Sequence, residues 1–260
     1  MIVIGIDCAT DEKKIGLALG SVDNKKTIIL GVPAGDKSEH VVDLIEKWLP
    51  EGQPALLALD SPLGWPRKLA QELLDHSAGM PLKVLPNHLF SRLTDRVVKE
   101  MIGKRPLEVG ADRIARTAHS ALKLLQSLRE NTGSAIPLAW EKDDVREICA
   151  IEVYPAATLA ARRINVRGYK EPEARDERLK LIELISNHLA IETWREQLES
   201  SSDAIDAVVC VLAASDFLLG KCRQPKPEER ETARKEGWIW VAHPELVVRV
   251  IRSGDIIPDS

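Results

Sequence analysis

Twice in this chain an apolar run ends on an aspartate: Ile2-Val-Ile-Gly-Ile-Asp7 at the start, and Ala55-Leu-Leu-Ala-Leu-Asp60 after the first helical pattern. A carboxylate at the tip of a buried strand is costly unless it is hydrogen-bonded, paired or bound to a cation. In residues 2–7, Ile2, Ile4 and Ile6 alternate with Val3, Gly5 and Asp7, the two-residue period of a strand. The polar turn Thr10–Lys14 leads to a second run, Ile15–Leu19, and the turn Asp23–Lys26 leads to a third, Thr27–Gly31. Two short connections in succession predict three antiparallel strands. Residues 39–49 then place Val41, Leu44, Ile45 and Trp48 at helical spacing, and Pro50 with Gly52 stops that helix. The run 55–60 is therefore the return of a crossover. Such crossovers are right-handed, which sets it parallel to and beside the first strand. Asp7 and Asp60 are then expected to end at the same sheet edge, close together.

Residues 62–147 read differently, with proline-rich stretches between helical patterns at about 67–76, 93–102 and 111–130, as in a helical insertion. Ile148–Glu152 resumes the strand pattern, which Tyr154-Pro155 limits. Helical segments follow at about 156–164 and 173–199. Ser200–Asp203 offers caps to a helix, Ala204-Ile-Asp206-Ala and onward, so poor in polar positions that it must be almost wholly buried. Trp238–Glu245 reads as a last strand or extended segment. The expectation is one α/β domain over 1–260, with a C-terminal extension from about 224 to 260. Three strands, a helix, a strand, an insertion, a strand and helices match the ribonuclease H-like fold, a mixed five-stranded sheet ordered 3-2-1-4-5.

Composition narrows the function classes. Hydrophobic residues are 44% and charged residues 29% of the chain, which suits a globular core. No apolar run approaches the roughly 18 residues of a membrane span. The N-terminus lacks the basic start and cleavage site of a signal peptide, so a cytoplasmic protein without a membrane partner is expected. Cys8, Cys149, Cys210 and Cys222 form no C-x-x-C pair and read as small hydrophobes rather than zinc ligands or disulfides. A net charge of −4 does not advertise nucleic-acid binding. Residues 92–116 and 162–180 each hold seven basic against four acidic residues, so either stretch is a local phosphate contact or a solvated helix face.

The acids carry the chemistry. Each of Asp7 and Asp60 alone has an ordinary alternative, accepting backbone N–H groups in the following turn; their convergence argues for a shared site. Asp203 and Asp206 project from one helix face, although Asp203 also suits an N-cap. Glu152 ends the fifth strand, as a site acid or as the partner of an arginine. Three or four such carboxylates hold hard cations, Mg²⁺ or Mn²⁺, through oxygen. Two ions about 4 Å apart hydrolyse a phosphodiester without a nucleophilic side chain. The chain has no G-x-S-x-G, H-E-x-x-H or Walker motif to offer another route.

Gly5-Ile-Asp7, Leu59-Asp60-Ser-Pro-Leu-Gly-Trp-Pro66, Arg92-Leu-Thr-Asp-Arg96, Glu152-Val-Tyr-Pro155 and Asp203-Ala-Ile-Asp206-Ala together resemble domain-of-unknown-function family 429 over most of the chain. Members are described as predicted ribonuclease H-like nucleases. Asp7, Asp60, Asp203 and Asp206 also match acid positions of the more distant Holliday-junction resolvases, where Glu152 has no counterpart. The resemblance implies a metal-dependent nuclease acting on nucleic acid. Asp7, Asp60, Glu152 and Asp206 would be catalytic, Asp7, Asp60, Asp203 and Asp206 metal ligands, and Arg92, Thr94, Asp95 and Arg96 a substrate clamp. The alternative for that clamp is an internal Arg–Asp pair. Trp65 and Trp140 are base-stacking or packing residues, and His243 before proline is read as structural. Two rivals stand beside the nuclease: an actin-like nucleotide-binding phosphotransferase, which lacks a second glycine-rich hairpin here, and a non-catalytic scaffold whose acids would be splayed or neutralised.

Overall fold

The structure is a computed structural model and describes residues 1–24, 26–33, 39–110 and 112–248. Strands β1 (Ile2–Asp7), β2 (Gly16–Val22), β3 (Thr27–Gly31), β4 (Ala55–Asp60) and β5 (Ile148–Glu152) form one sheet in the order β3-β2-β1-β4-β5. The β1–β2 and β2–β3 pairs are antiparallel, and β1–β4 and β4–β5 are parallel. This is the expected α/β architecture, the 3-2-1-4-5 mixed sheet with flanking helices. The helices are α1 (Val41–Trp48), α2 (Arg67–Leu73), α3 (Pro86–Leu89), α4 (Leu93–Ile102), α5 (Asp112–Thr132), α6 (Pro155–Ala161), α7 (Arg175–Ser186), α8 (Arg195–Ser200), α9 (Ser202–Leu218), α10 (Arg230–Glu236) and α11 (Pro244–Val247).

Central strands covered on both faces must be apolar on both, and β1 and β4 are buried through Val3, Ile4, Ile6 and Ala55–Leu59. On one face Ile4, Ile6, Leu57 and Leu59 pack with Val41 and Ile45 of α1 and Leu124, Leu125 and Leu128 of α5. Although α5 falls within the stretch read as an insertion, it is thus a layer of the main fold. On the other face Val3, Ala18, Leu56 and Ala58 lie under α9, which is buried from Ala204 to Phe217. The approach of α9 is close enough to demand glycine. A Cβ on Gly5 would lie 2.0 Å from the carbonyl oxygen of Ala207, and one on Gly16 would lie 2.0 Å from that of Asp203. The bare backbone at those two positions lets α9 rest directly on β1 and β2, bringing its first turn to the strand ends.

One further expectation needs correction. The helical pattern over 173–199 divides into α7 and α8, because the chain leaves the helix after Ser186 and Ala190 pairs with β3. Ala190 N donates to Thr27 O at 2.9 Å, and Ile29 N donates to Ala190 O at 3.0 Å. Of the two readings of Trp238–Glu245, the extended segment is the one found, up to His243, with isolated bridges of Glu152 with Ile239 and Cys222 with Ala242 before α11 begins at Pro244. Of the C-terminal extension, the part beyond residue 248 lies outside the described residues. Among the described residues no helix is long and apolar enough to cross a membrane. All four cysteines are free, with Cys149, Cys210 and Cys222 buried as read from their apolar surroundings.

Candidate acidic site at the strand ends

Asp7 and Asp60 are direct register partners, the last residues of the parallel pair β1–β4. Both are half-buried. Among the described residues no hydrogen-bond donor reaches either carboxylate. Above them lies the start of α9. Its cap is Ser201, whose Oγ accepts from Ala204 N at 3.2 Å, so the capping role considered for Asp203 belongs to a neighbour. Asp203 is half-buried and accepts from Ser202 Oγ at 3.3 Å. Asp206, 1% exposed, sits one turn further along. Its Oδ1 accepts from Tyr169 Oη at 2.7 Å. Its Oδ2 lies 2.5 Å from Lys170 Nζ in an ion pair.

The protonation energetics show that these acids form one cluster. Burial, followed by the charges of Asp206 and Asp60, holds Asp7 well above the ordinary carboxylate range, with Lys170 opposing. Burial and then Asp206 push Asp60 up to about 8, again against Lys170. Asp206 is raised by burial, while Lys170 and the Tyr169 hydroxyl stabilise its anion. Burial disfavours the Lys170 charge, yet Asp206, Asp7 and Asp60 together hold that ammonium above the usual lysine value. Fully ionised, these acids would carry more negative charge than the one cation balances, and their raised values are the response to it, which marks them as a candidate site.

Tyr169 and Lys170 lie in the connection between α6 and α7, and a buried arginine fixes that connection. Arg178 Nη1 donates to Tyr169 O at 3.2 Å and Glu171 O at 2.8 Å, and its Nη2 donates to Pro172 O at 3.1 Å. Tyr154 lies close enough for burial, then the Asp60 charge, to push its phenol up. The chain has only two tyrosines, and both stand at the acids. Sequence reasoning placed Lys170 in a generic basic stretch and gave Tyr169 no role. The signal available was a scarce aromatic beside a glycine and a lysine.

Glu152 is placed differently from the expected catalytic acid. It meets Arg92 in a two-pronged ion pair, Nη2 to Oε1 at 2.6 Å and Nη1 to Oε2 at 2.9 Å, and accepts from Leu63 N at 3.0 Å. Arg92 Nη2 also reaches Asp95 Oδ1 at 2.9 Å. Arg92, Thr94 and Asp95 are at most 2% exposed, and Thr94 Oγ1 accepts from Ile239 N at 2.8 Å. These three residues are an internal brace tying α4 to β5 and the C-terminal segment, in place of the expected substrate clamp. Arg96, half-buried, donates to Ser91 O at 2.6 Å and Asn87 O at 3.3 Å. A cavity of about 780 Å³ lies beside the acids rather than over them, between β2, α1 and α8, with Leu17, Trp48 and Trp194 in its walls.

Asp7, Asp60, Asp203 and Asp206 supply only oxygen, the donor type that suits Mg²⁺ or Mn²⁺. The buried Asp206 Oδ2 atom has the exposed Lys170 ammonium as its charge partner. As the side chains stand, no group of three or more His, Cys, Asp or Glu among the described residues could hold a metal ion. No curated protein and no solved structure matches the chain. One family model does match, described as Protein of unknown function (DUF429), over residues 5–232, and the chain belongs to that family.

Proposed function

We propose that this protein is a divalent-metal-dependent phosphodiesterase, a nuclease acting on nucleic acid. The observation that supports this reading is the pairing of Asp7 with Asp60 in register at the ends of adjacent parallel strands, with Asp206 brought to them by α9. Asp7, Asp60 and Asp206 would hold the metal, with Asp203 at the rim. A bound Mg²⁺ or Mn²⁺ would supply Lewis acidity to the phosphoryl group and activation of the attacking water.

The protein's own groups prepare that chemistry. Half-burial of Asp7 and Asp60 leaves the site open to solvent while protein on the inner side keeps their charges strong. Tyr169 fixes the rotation of the Asp206 carboxylate through Oδ1 and leaves Oδ2 for a cation. Trp65, five residues beyond Asp60 and 36% exposed, offers an aromatic face to a base.

A second reading, a non-catalytic protein on the same fold, is favoured by one observation: Lys170 already neutralises part of the cluster at Asp206. The experiment that separates them is cleavage of DNA, RNA, a branched junction and a small phosphodiester with Mg²⁺ or Mn²⁺. Activity on at least one substrate is expected, and Asp7→Asn and Asp60→Asn should each abolish it without unfolding the protein. Absence of cleavage on all four substrates, beside an active control nuclease, overturns the enzymatic reading.

A further inference from the structure

We propose that the Lys170 ammonium is an internal counter-cation: it occupies the acid site until a divalent cation displaces it, and so sets the affinity of that site. This inference rests on the metal-dependent reading above.

Lys170 is unlike the other cations paired with buried acids in this fold. Arg92 is 1% exposed and engages Glu152 and Asp95 with hydrogen bonds. Arg162 grips Asp216 through Nη2 at 2.8 and 2.7 Å and is likewise buried. The Lys170 side chain is 61% exposed, while the carboxylate it meets is 1% exposed. Its Nζ meets Asp206 Oδ2 at 2.5 Å. One exposed ammonium thus meets the buried acid, without the several hydrogen bonds by which the buried guanidiniums of Arg92 and Arg162 hold theirs.

The geometry also states what moves. Arg178 fastens the backbone carbonyls of Tyr169, Glu171 and Pro172, so the connection carrying Lys170 is held in place. Tyr169 keeps Oδ1 of the same carboxylate. Only the Lys170 side chain need swing into the solvent it already faces, and the atom it vacates is Oδ2. Asp7, Asp60 and Asp203 contribute further negative charge to Asp206 or Lys170. A single positive charge underbalances that set, and a divalent ion with oxygen ligands replaces it with a net gain in charge.

Calorimetric titration of the full chain with MnCl₂ tests the proposal in wild type, Lys170→Met and Lys170→Arg. The Met variant should bind Mn²⁺ about tenfold more tightly than wild type, equivalent to ~1.4 kcal/mol, and the Arg variant no more tightly. A second measurement needs no variant. Amine acetylation of Lys170 in wild type, followed by mass spectrometry, should accelerate when Mn²⁺ is added. Equal or weaker binding by a folded Met variant, or acetylation of Lys170 that Mn²⁺ leaves unchanged in a wild type that binds it, overturns the displacement and leaves the metal reading standing. Lack of Mn²⁺ binding by both wild type and the Met variant overturns the metal reading itself. Binding by the Met variant alone supports both, with Lys170 as a complete block.

Discussion

Two carboxylate clusters adjoin the ends of β4 and β5, and they handle charge in opposite ways. Around Arg92, Glu152 and Asp95 are buried and met by a guanidinium, while backbone N–H groups of Leu63 and Arg92 fill further acceptor positions. Glu236 joins them, accepting from Leu93 N at 2.6 Å and Arg67 N at 2.8 Å. Around Asp7, the acids repel one another, one exposed lysine opposes them, and two carboxylates have no donor among the described residues. Acids whose lone pairs the protein fills are structural, however deep they lie. Acids left short of positive charge, and open to solvent, are the ones a ligand can complete. Glu152 and Asp60 end neighbouring strands and fall on opposite sides of that line.

The largest effect that could break this distinction is at the brace. Arg92→Met removes the one cation facing Glu152 and Asp95, and uncompensated buried charge costs about 3–5 kcal/mol. Urea unfolding should show a loss of that size, and a loss below about 1 kcal/mol would mean that the brace is not what holds the acids. Next in size is the contact that delivers α9. Because a Cβ at Gly5 would fall 2.0 Å from Ala207 O, Gly5→Ala must push helix and strand apart, at about 1–3 kcal/mol for overpacking. The displaced helix carries Asp206, so Mn²⁺ affinity should fall along with the melting temperature. A stability loss with unchanged affinity would show that the acids do not depend on this approach.

Much of the fold was legible for the same reason that it is stable. Strands covered on both faces write unbroken apolar runs, so β1, β4 and β5 and their acids stood out, and the crossover rule alone set Asp7 beside Asp60. What escaped the sequence depended on partners far along the chain. Glu152 finds Arg92 sixty residues away, and nothing local distinguishes a carboxylate at a strand end that meets an arginine from one left bare. Lys170 is one of seven basic residues of which Arg162 and Arg178 turn inward, so composition alone left a phosphate contact or a solvated face and could not single it out. The pattern over 173–199 was helical throughout, but hydrogen bonds between Ala190 and β3 outweigh local propensity there.

The smallest expected effect sharpens the distinction through pH. Asp60, pushed up to about 8 in the folded chain, has an unfolded value of about 3.9. Between those values the folded state binds more protons than the unfolded one. The stability that Asp60 contributes is thus fully present below about pH 4 and is lost as pH rises through the folded value. The charges behind the shift are Asp206 and Glu152, with Lys170 opposing and burial first among the causes. In buffer stripped of divalent cations, wild type should lose stability from pH 5 to pH 8.5, and Asp60→Asn should lose less. Because Asp60 is half-buried and solvent screens it, the difference should be about 1 kcal/mol or less, read from urea midpoints at the two pH values. Added Mn²⁺ should flatten the wild-type profile toward that of the variant, since a bound cation neutralises the negative charge that protonation otherwise removes. Identical slopes for the two proteins without metal would place Asp60 with Glu152, among acids the protein already balances.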